Sequence, residues 1–270
     1  MAEMPPLEQL IRMEIVYRVP GMDDVVVNRD VPYAAPADAA LAMDVYRPSG
    51  ATGSRLPAVV LIHGGPVPRL GAKGMGVFTS YGRLLAASGL LAVTFNHRFL
   101  APERLLDAAA DVEAAIAYVR SHAAELGADD QRLAVWAFSG GGPFLSLALR
   151  GAPSYVRAAV AYYAALDIQE KAPGSTDTPS DELRREFSPL YHVQAEAGRI
   201  APILVARAGL DHPFLNAGID RFVQAALAAN AAIDVMNHAT GRHGFDILDD
   251  VERSREIIAR TVEFLRTRLS

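Results

Sequence analysis

Residues 133–142 read LAVWAFSGGG. An apolar run stops at one hydroxyl, and three glycines follow it. Such a stretch is either a loose turn or a nucleophile carried on a sharp bend with bare backbone beside it. What flanks it decides between the two.

Five other short apolar runs share its character: 58–63 (AVVLIH), 90–96 (LLAVTFN), 156–163 (VRAAVAYY), 202–208 (PILVARA) and 232–237 (AIDVMN). Near-continuous apolar strands of this kind suit a parallel sheet buried on both faces. Between them, residues 81–88, 107–122, 220–229 and 251–269 carry apolar residues at helical spacing, as in Ala108, Val112, Ala115, Ile116 and Val119. Strand and helix therefore alternate from residue 58 onward, which predicts a doubly wound α/β domain. Residues 13–19, 25–30 and 40–46 read as strands separated by turns at Pro20-Gly21, Pro32 and Pro36, with no helix between them. Residues 1–50 are thus expected to add an antiparallel edge to the same sheet. No repeat or linker divides the chain, so residues 1–270 are read as one domain.

One segment interrupts the alternation. Residues 167–195 (DIQEKAPGSTDTPSDELRREFSPLYHVQA) are long and polar where connections are usually short. Either a cap over the strand ends or a solvated excursion fits them, and the cap is the reading adopted.

Composition removes several function classes. Hydrophobic residues make up 51% and charged residues 21% of the 270, as in a globular protein with a substantial core. A net charge of −5 gives no basic footprint for nucleic acid. The absence of cysteine excludes disulfides, thiolate metal sites and a cysteine nucleophile. The N-terminal sequence carries Glu3, Glu8, Arg12 and Glu14 among its apolar residues, unlike a signal peptide. No stretch approaches the roughly 20 apolar residues of a membrane span. A cytoplasmic protein acting on a small molecule, without nucleic acid, membrane or cofactor, is expected. The N-terminal extension or an edge strand offers a surface for a homodimer.

In a parallel α/β sheet, ligands bind outside the carboxyl ends of the strands. The residues standing there are His63-Gly64-Gly65-Pro66, Ser139, Gly209-Leu210-Asp211-His212 and, after a short loop, Gly241-Arg242-His243-Gly244. A serine, an aspartate and a histidine follow one another along one edge. That is the chain order Ser…Asp/Glu…His of an α/β-hydrolase. A serine hydroxyl is a weak nucleophile at neutral pH and needs an adjacent base, which imidazole supplies. The aspartate fixes the tautomer and stabilises the imidazolium as it forms. Glycines beside the nucleophile let backbone N–H groups approach an oxyanion. The elbow pattern G-x-S-x-G appears as Ala137-Phe138-Ser139-Gly140-Gly141, with alanine in the first position and a helix expected from residue 142 to 149.

These motifs resemble the α/β-hydrolases, in particular the dienelactone-hydrolase-like and prolyl-oligopeptidase-like serine esterases and peptidases. The likeness spans residues 40–269 through LAMDVYRP, PAVVLIHGGP, FNHRFLAPE, LAVWAFSGGG, PILVARAGLD and GRHGF. It implies an α/β-hydrolase fold of about eight mostly parallel strands. It also implies a catalytic triad of Ser139, Asp211 and His243, with Gly65 and Gly140 forming the oxyanion hole. Pro66 has no N–H to donate. The chain has no room for a β-propeller and no cysteine, so it departs from both named branches toward a free-standing serine carboxylesterase. Two alternatives stand beside that reading. The His-Gly-Gly-Pro motif looks like that of acylaminoacyl peptidases and points to amide hydrolysis. A non-catalytic binding protein on the same fold is the other.

Asp167, at another strand end, rivals Asp211 as the triad acid, and His238 is the nearest rival of His243 among the seven histidines. His63 is expected to shape the oxyanion loop and His97 to be a buried packing residue. Val67 and His212 are expected to line the substrate pocket, and His122 and His192 to serve packing or the surface. No histidine pair has metal-ligand spacing. Gly71 to Gly76 lacks the Gly-Lys-Ser/Thr ending of a phosphate loop and is read as pocket wall. Arg98 and Asp111 are expected to pair.

Overall fold

The computed structural model describes residues 5–34, 40–51, 53, 55–67, 71–168 and 180–270. A short helix, α1 (Leu7–Leu10), precedes β1 (Val26–Pro32), β2 (Ala42–Arg47) and β3 (Leu56–Ile62). Then come α2 (Gly76–Ala87), β4 (Leu91–Phe95), α3 (Leu105–Ser121), α4 (Ala123–Leu126), β5 (Ala128–Phe138) and α5 (Ser146–Leu149). The rest is β6 (Val156–Tyr162), α6 (Asp181–Phe187), α7 (Pro189–Ala195), β7 (Ile203–Ala208), α8 (Pro213–Ala228), β8 (Ile233–His238), α9 (Phe245–Leu248) and α10 (Glu252–Leu269).

The eight strands form one sheet in the order β1-β2-β4-β3-β5-β6-β7-β8. β1 with β2 and β2 with β4 are antiparallel, and every other pair is parallel. The sheet is parallel where βαβ crossovers build it and antiparallel where the N-terminal strands join without helices, as their sequences predict.

Alternation along β5 shows why apolar runs suit its centre. Leu133, Val135 and Ala137 point into one core with Val112 and Val119 of α3 and Phe222 of α8. Ala134, Trp136 and Phe138 point into the other with Leu84 and Leu85 of α2 and Ile257, Ile258 and Leu265 of α10. A strand buried on both faces has no place for a polar side chain until it leaves the sheet. The first polar side chain after the core run of β5 is Ser139.

Three expectations need correction. Residues 13–19 form no strand. Instead, Gly76 N–H donates to the Ile11 carbonyl (2.8 Å), Ile15 N–H to Ser80 Oγ (3.1 Å) and Val16 N–H to the Asp246 carbonyl (2.8 Å). The segment is a strap across α2 and α9, and its hydrogen bonds come from those elements rather than a sheet edge. The helix expected over 142–149 is a 3-10 coil through Ser139–Leu145 followed by the single turn of α5, because Pro143 interrupts it. In the long segment 167–195, residues 169–179 lie outside those described. Its second half folds as α6 and α7, whose Phe187, Leu190 and Val193 join the core beside α8. Among the described residues, no helix is long and apolar enough to cross a membrane.

Candidate active site

Ser139 follows β5 directly and has φ of 52°, a left-handed conformation that costs a non-glycine residue of the order of 1 kcal/mol. The bend lifts its side chain off the sheet edge. Gly140 then passes so close to the loop after β3 that a Cβ there would lie 1.9 Å from the Gly65 carbonyl oxygen. A side chain on Gly65 would in turn meet the Phe99 ring at 2.7 Å. The glycines of SGGG therefore serve close approach, not looseness. The departure at Ala137 is absorbed easily: the residue is fully buried and faces Ala161 in the neighbouring strand.

Asp211 and His243 come from the ends of β7 and β8, and the sheet continues to hold them after the strands stop. Gly209 N–H donates to the His238 carbonyl (2.8 Å) and Leu210 N–H to the Gly241 carbonyl (2.9 Å). Just before His243, Arg242 is clamped to Asp249 by its backbone N–H (2.8 Å) and Nε (2.7 Å). With both loops fixed, the Asp211 Oδ2 to His243 Nδ1 distance is 2.7 Å and the His243 Nε2 to Ser139 Oγ distance is 2.8 Å. An ionised carboxylate can only accept, so Nδ1 carries the proton and Nε2 is left to accept from the serine hydroxyl. The second Asp211 oxygen accepts from His212 N–H at 2.6 Å. The Asp211 side chain is 3% exposed and that of His243 36%, so the acid is sealed beneath a base that reaches solvent. Low polarity around the acid strengthens its hold on an imidazolium.

The rivals go elsewhere. Asp167 is buried and paired with Arg221 of α8 at 2.7 Å. His238 is turned to Ser254 of α10 (3.1 Å), and burial lowers its pKa. His212 is exposed, its ring accepts from Phe214 N–H to cap α8, and its backbone N–H donates to Asp211. Val67 donates its N–H to the Phe99 carbonyl (3.0 Å), which ties the loop after β3 to the one after β4. Arg98 and Asp111 pair as expected, at 2.7 Å.

His63 and His97 stack with ring centroids 3.5 Å apart and planes within 4°. His63 Nδ1 lies 2.6 Å from the Gly64 carbonyl, and His97 Nε2 lies 3.2 Å from the His63 carbonyl. Burial pushes His63 down to about 4 and His97 well below its ordinary value. Both rings are neutral at pH 7 and can pack face to face without repulsion.

Two residues escaped the sequence reading. Tyr163, just beyond β6, has φ of 38° and places its ring 4.7 Å from that of His243. Asp246, at the start of α9, is completely buried and accepts from the Tyr163 hydroxyl (2.8 Å) and the Tyr81 hydroxyl (2.9 Å). The available signal was an acidic residue directly after the apolar Phe245 in GRHGFD.

The sheet order, the crossover helices and the placement of these three side chains define an α/β-hydrolase fold. Residues 43–165 match the BD-FAE family model. The sequence matches no curated protein. Among solved structures, a thermophilic esterase of Thermogutta terrifontis, bound to butyrate, superimposes with a TM-score of 0.69 at 22% identity, covering 92% of this chain and 95% of that one. An esterase from Pyrobaculum calidifontis gives 0.70 at 23% identity, covering 91% and 88%. A truncated carbohydrate esterase from gut microbiota gives 0.72 at 19% identity, covering 90% and 96%.

Proposed function

We propose that this protein is a serine esterase that hydrolyses carboxylic esters of small substrates through an acyl-enzyme intermediate. The observation that carries the reading is the unbroken hydrogen-bonded chain from Ser139 Oγ through His243 to the buried Asp211. In the first half-reaction His243 Nε2 takes the Ser139 proton as Oγ attacks the ester carbonyl carbon. The carbonyl oxygen becomes an oxyanion held by the Gly65 and Gly140 N–H groups. Collapse breaks the bond to the alcohol oxygen, which receives the proton from Nε2. Water, deprotonated by the same nitrogen, then releases the acid and restores Ser139. No cofactor enters this scheme. The chain acts as one domain, and Val67 on the loop after β3 borders the substrate pocket.

A short acyl group is the first to try, since the Thermogutta esterase holds butyrate. The His63-Gly64-Gly65-Pro66 sequence supports amide hydrolysis as a second reading, and aminoacyl-anilide turnover separates the two. The direct test is hydrolysis of p-nitrophenyl acetate and butyrate. Ser139→Ala is expected to fold and to lose turnover by about 10³-fold or more; undiminished turnover would refute the assignment.

A further inference from the structure

Asp246 lies three residues beyond His243 yet takes no part in the chain from Ser139 to Asp211. It is completely buried, where a carboxylate is costly unless its oxygens are satisfied. Each oxygen accepts one phenol O–H, Oδ1 from Tyr163 and Oδ2 from Tyr81. That is the pattern that satisfies an ionised carboxylate. Burial raises the Asp246 carboxyl above its ordinary value, and the Tyr163 and Tyr81 hydroxyls and the nearby His243 offset part of that rise. Burial also raises both phenols far above their ordinary range, so they stay donors. Tyr162 is a further titratable neighbour, and its hydroxyl is turned to Thr261 (2.7 Å). Among the described residues, no lysine or arginine pairs with Asp246.

Tyr163 connects this charge to the base. A tyrosine with φ of 38° sits in a region that bulky residues avoid, and such strain persists only where surrounding contacts over-determine it. Here the contacts are the hydrogen bond to Asp246 and the tilted packing of the ring on the His243 imidazole, with centroids 4.7 Å apart and planes 59° from parallel. His243 itself is faced by Ser139, Asp211 and Tyr163, with the Arg242–Asp249 pair holding its loop.

We propose that Asp246 is a positioning residue for the His243 base. Through Tyr163 it fixes the imidazole, and its buried charge adds to that of Asp211 in stabilising the imidazolium formed during the reaction. The inference rests on the serine-esterase reading above.

The test compares wild type, Asp246→Asn and Tyr163→Phe on p-nitrophenyl acetate, with Ser139→Ala as the blank. The acid limb of kcat/KM reports His243 in the free enzyme. Removing a nearby negative charge disfavours the imidazolium, so the Asp246→Asn limb moves to lower pH by roughly half a unit or more. Its kcat falls roughly threefold to tenfold while KM stays within about twofold, the split of an interaction made in the transition state. A folded Asp246→Asn protein with the wild-type limb overturns the proposal, even where Tm falls, because a purely structural role lowers Tm alone. If Asp246→Asn does not fold, Tyr163→Phe decides: it keeps the ring but cuts its hydrogen bond to Asp246, so kcat falls roughly threefold or more with KM within about twofold, whereas wild-type kcat in a folded Tyr163→Phe protein overturns the proposal. Turnover by Ser139→Ala would instead bring down the esterase reading, and this inference with it.

Discussion

The two sides of Ser139 are built from different physics. On one side stand Asp211, His243, Tyr163 and Asp246, two buried carboxylates and the groups that answer them by hydrogen bonds. On the other side stand Gly65, Gly140 and the His63–His97 stack, where neutral rings and bare backbone press together without a charge. In the proposed reaction the first side moves a proton and must keep its charge; the second receives a negative oxygen and must keep its shape. The difference teaches which perturbation each side will feel. Substitutions that alter charge at constant size should strike the acid–base side, and protonation should strike the oxyanion side.

The largest expected effect is at Asp211. Asp211→Asn preserves shape but lets Nδ1 lose its proton acceptor, and kcat should fall by about 10³- to 10⁴-fold. A comparable loss in Asp167→Asn, with Asp211→Asn active, would move the acid to the end of β6 and break the comparison.

The next effect is on stability. His63 has an ordinary value of 6.5 when unfolded and about 4 when folded. Between those values the unfolded chain binds a proton that the folded chain refuses, so stability is fully present above pH 6.5 and is lost as pH falls toward 4. For His63 the loss is about 3 kcal/mol across that window. Urea unfolding at steps of pH measures it, and His97→Phe, which removes one of the two rings that must stay neutral, should flatten the slope. An unchanged slope in that variant would remove the stack as its origin. The smallest expected effect is Asp167→Asn on activity. Its partner is Arg221, so kcat should stay within about twofold while Tm falls.

The same division governs what could be read from the sequence. Ser139, Asp211 and His243 were legible because each stands directly after an apolar run or in the loop that follows one, and the sheet's polarity brings all such ends to one edge. Gly140 and Gly65 were legible because close backbone approach leaves glycine as its trace. The antiparallel edge of β1 and β2 followed from strands without intervening helices. Residues 13–19 misled because alternation of apolar and polar residues reports one buried face, not what covers it; α2 and α9 do so in place of a strand. The hydrogen bond of Tyr163 to Asp246 was illegible because it joins residues 83 positions apart. Nothing local marks a tyrosine whose strained backbone turns its ring toward a histidine in the loop after β8.

The central claim is that Ser139 is a nucleophile activated by His243. Intact-mass analysis after treatment with a serine-reactive fluorophosphonate tests it most directly. The account predicts one adduct per chain, mapped to Ser139 and absent from Ser139→Ala. No adduct on the wild-type protein, or an equal adduct on Ser139→Ala, would contradict it.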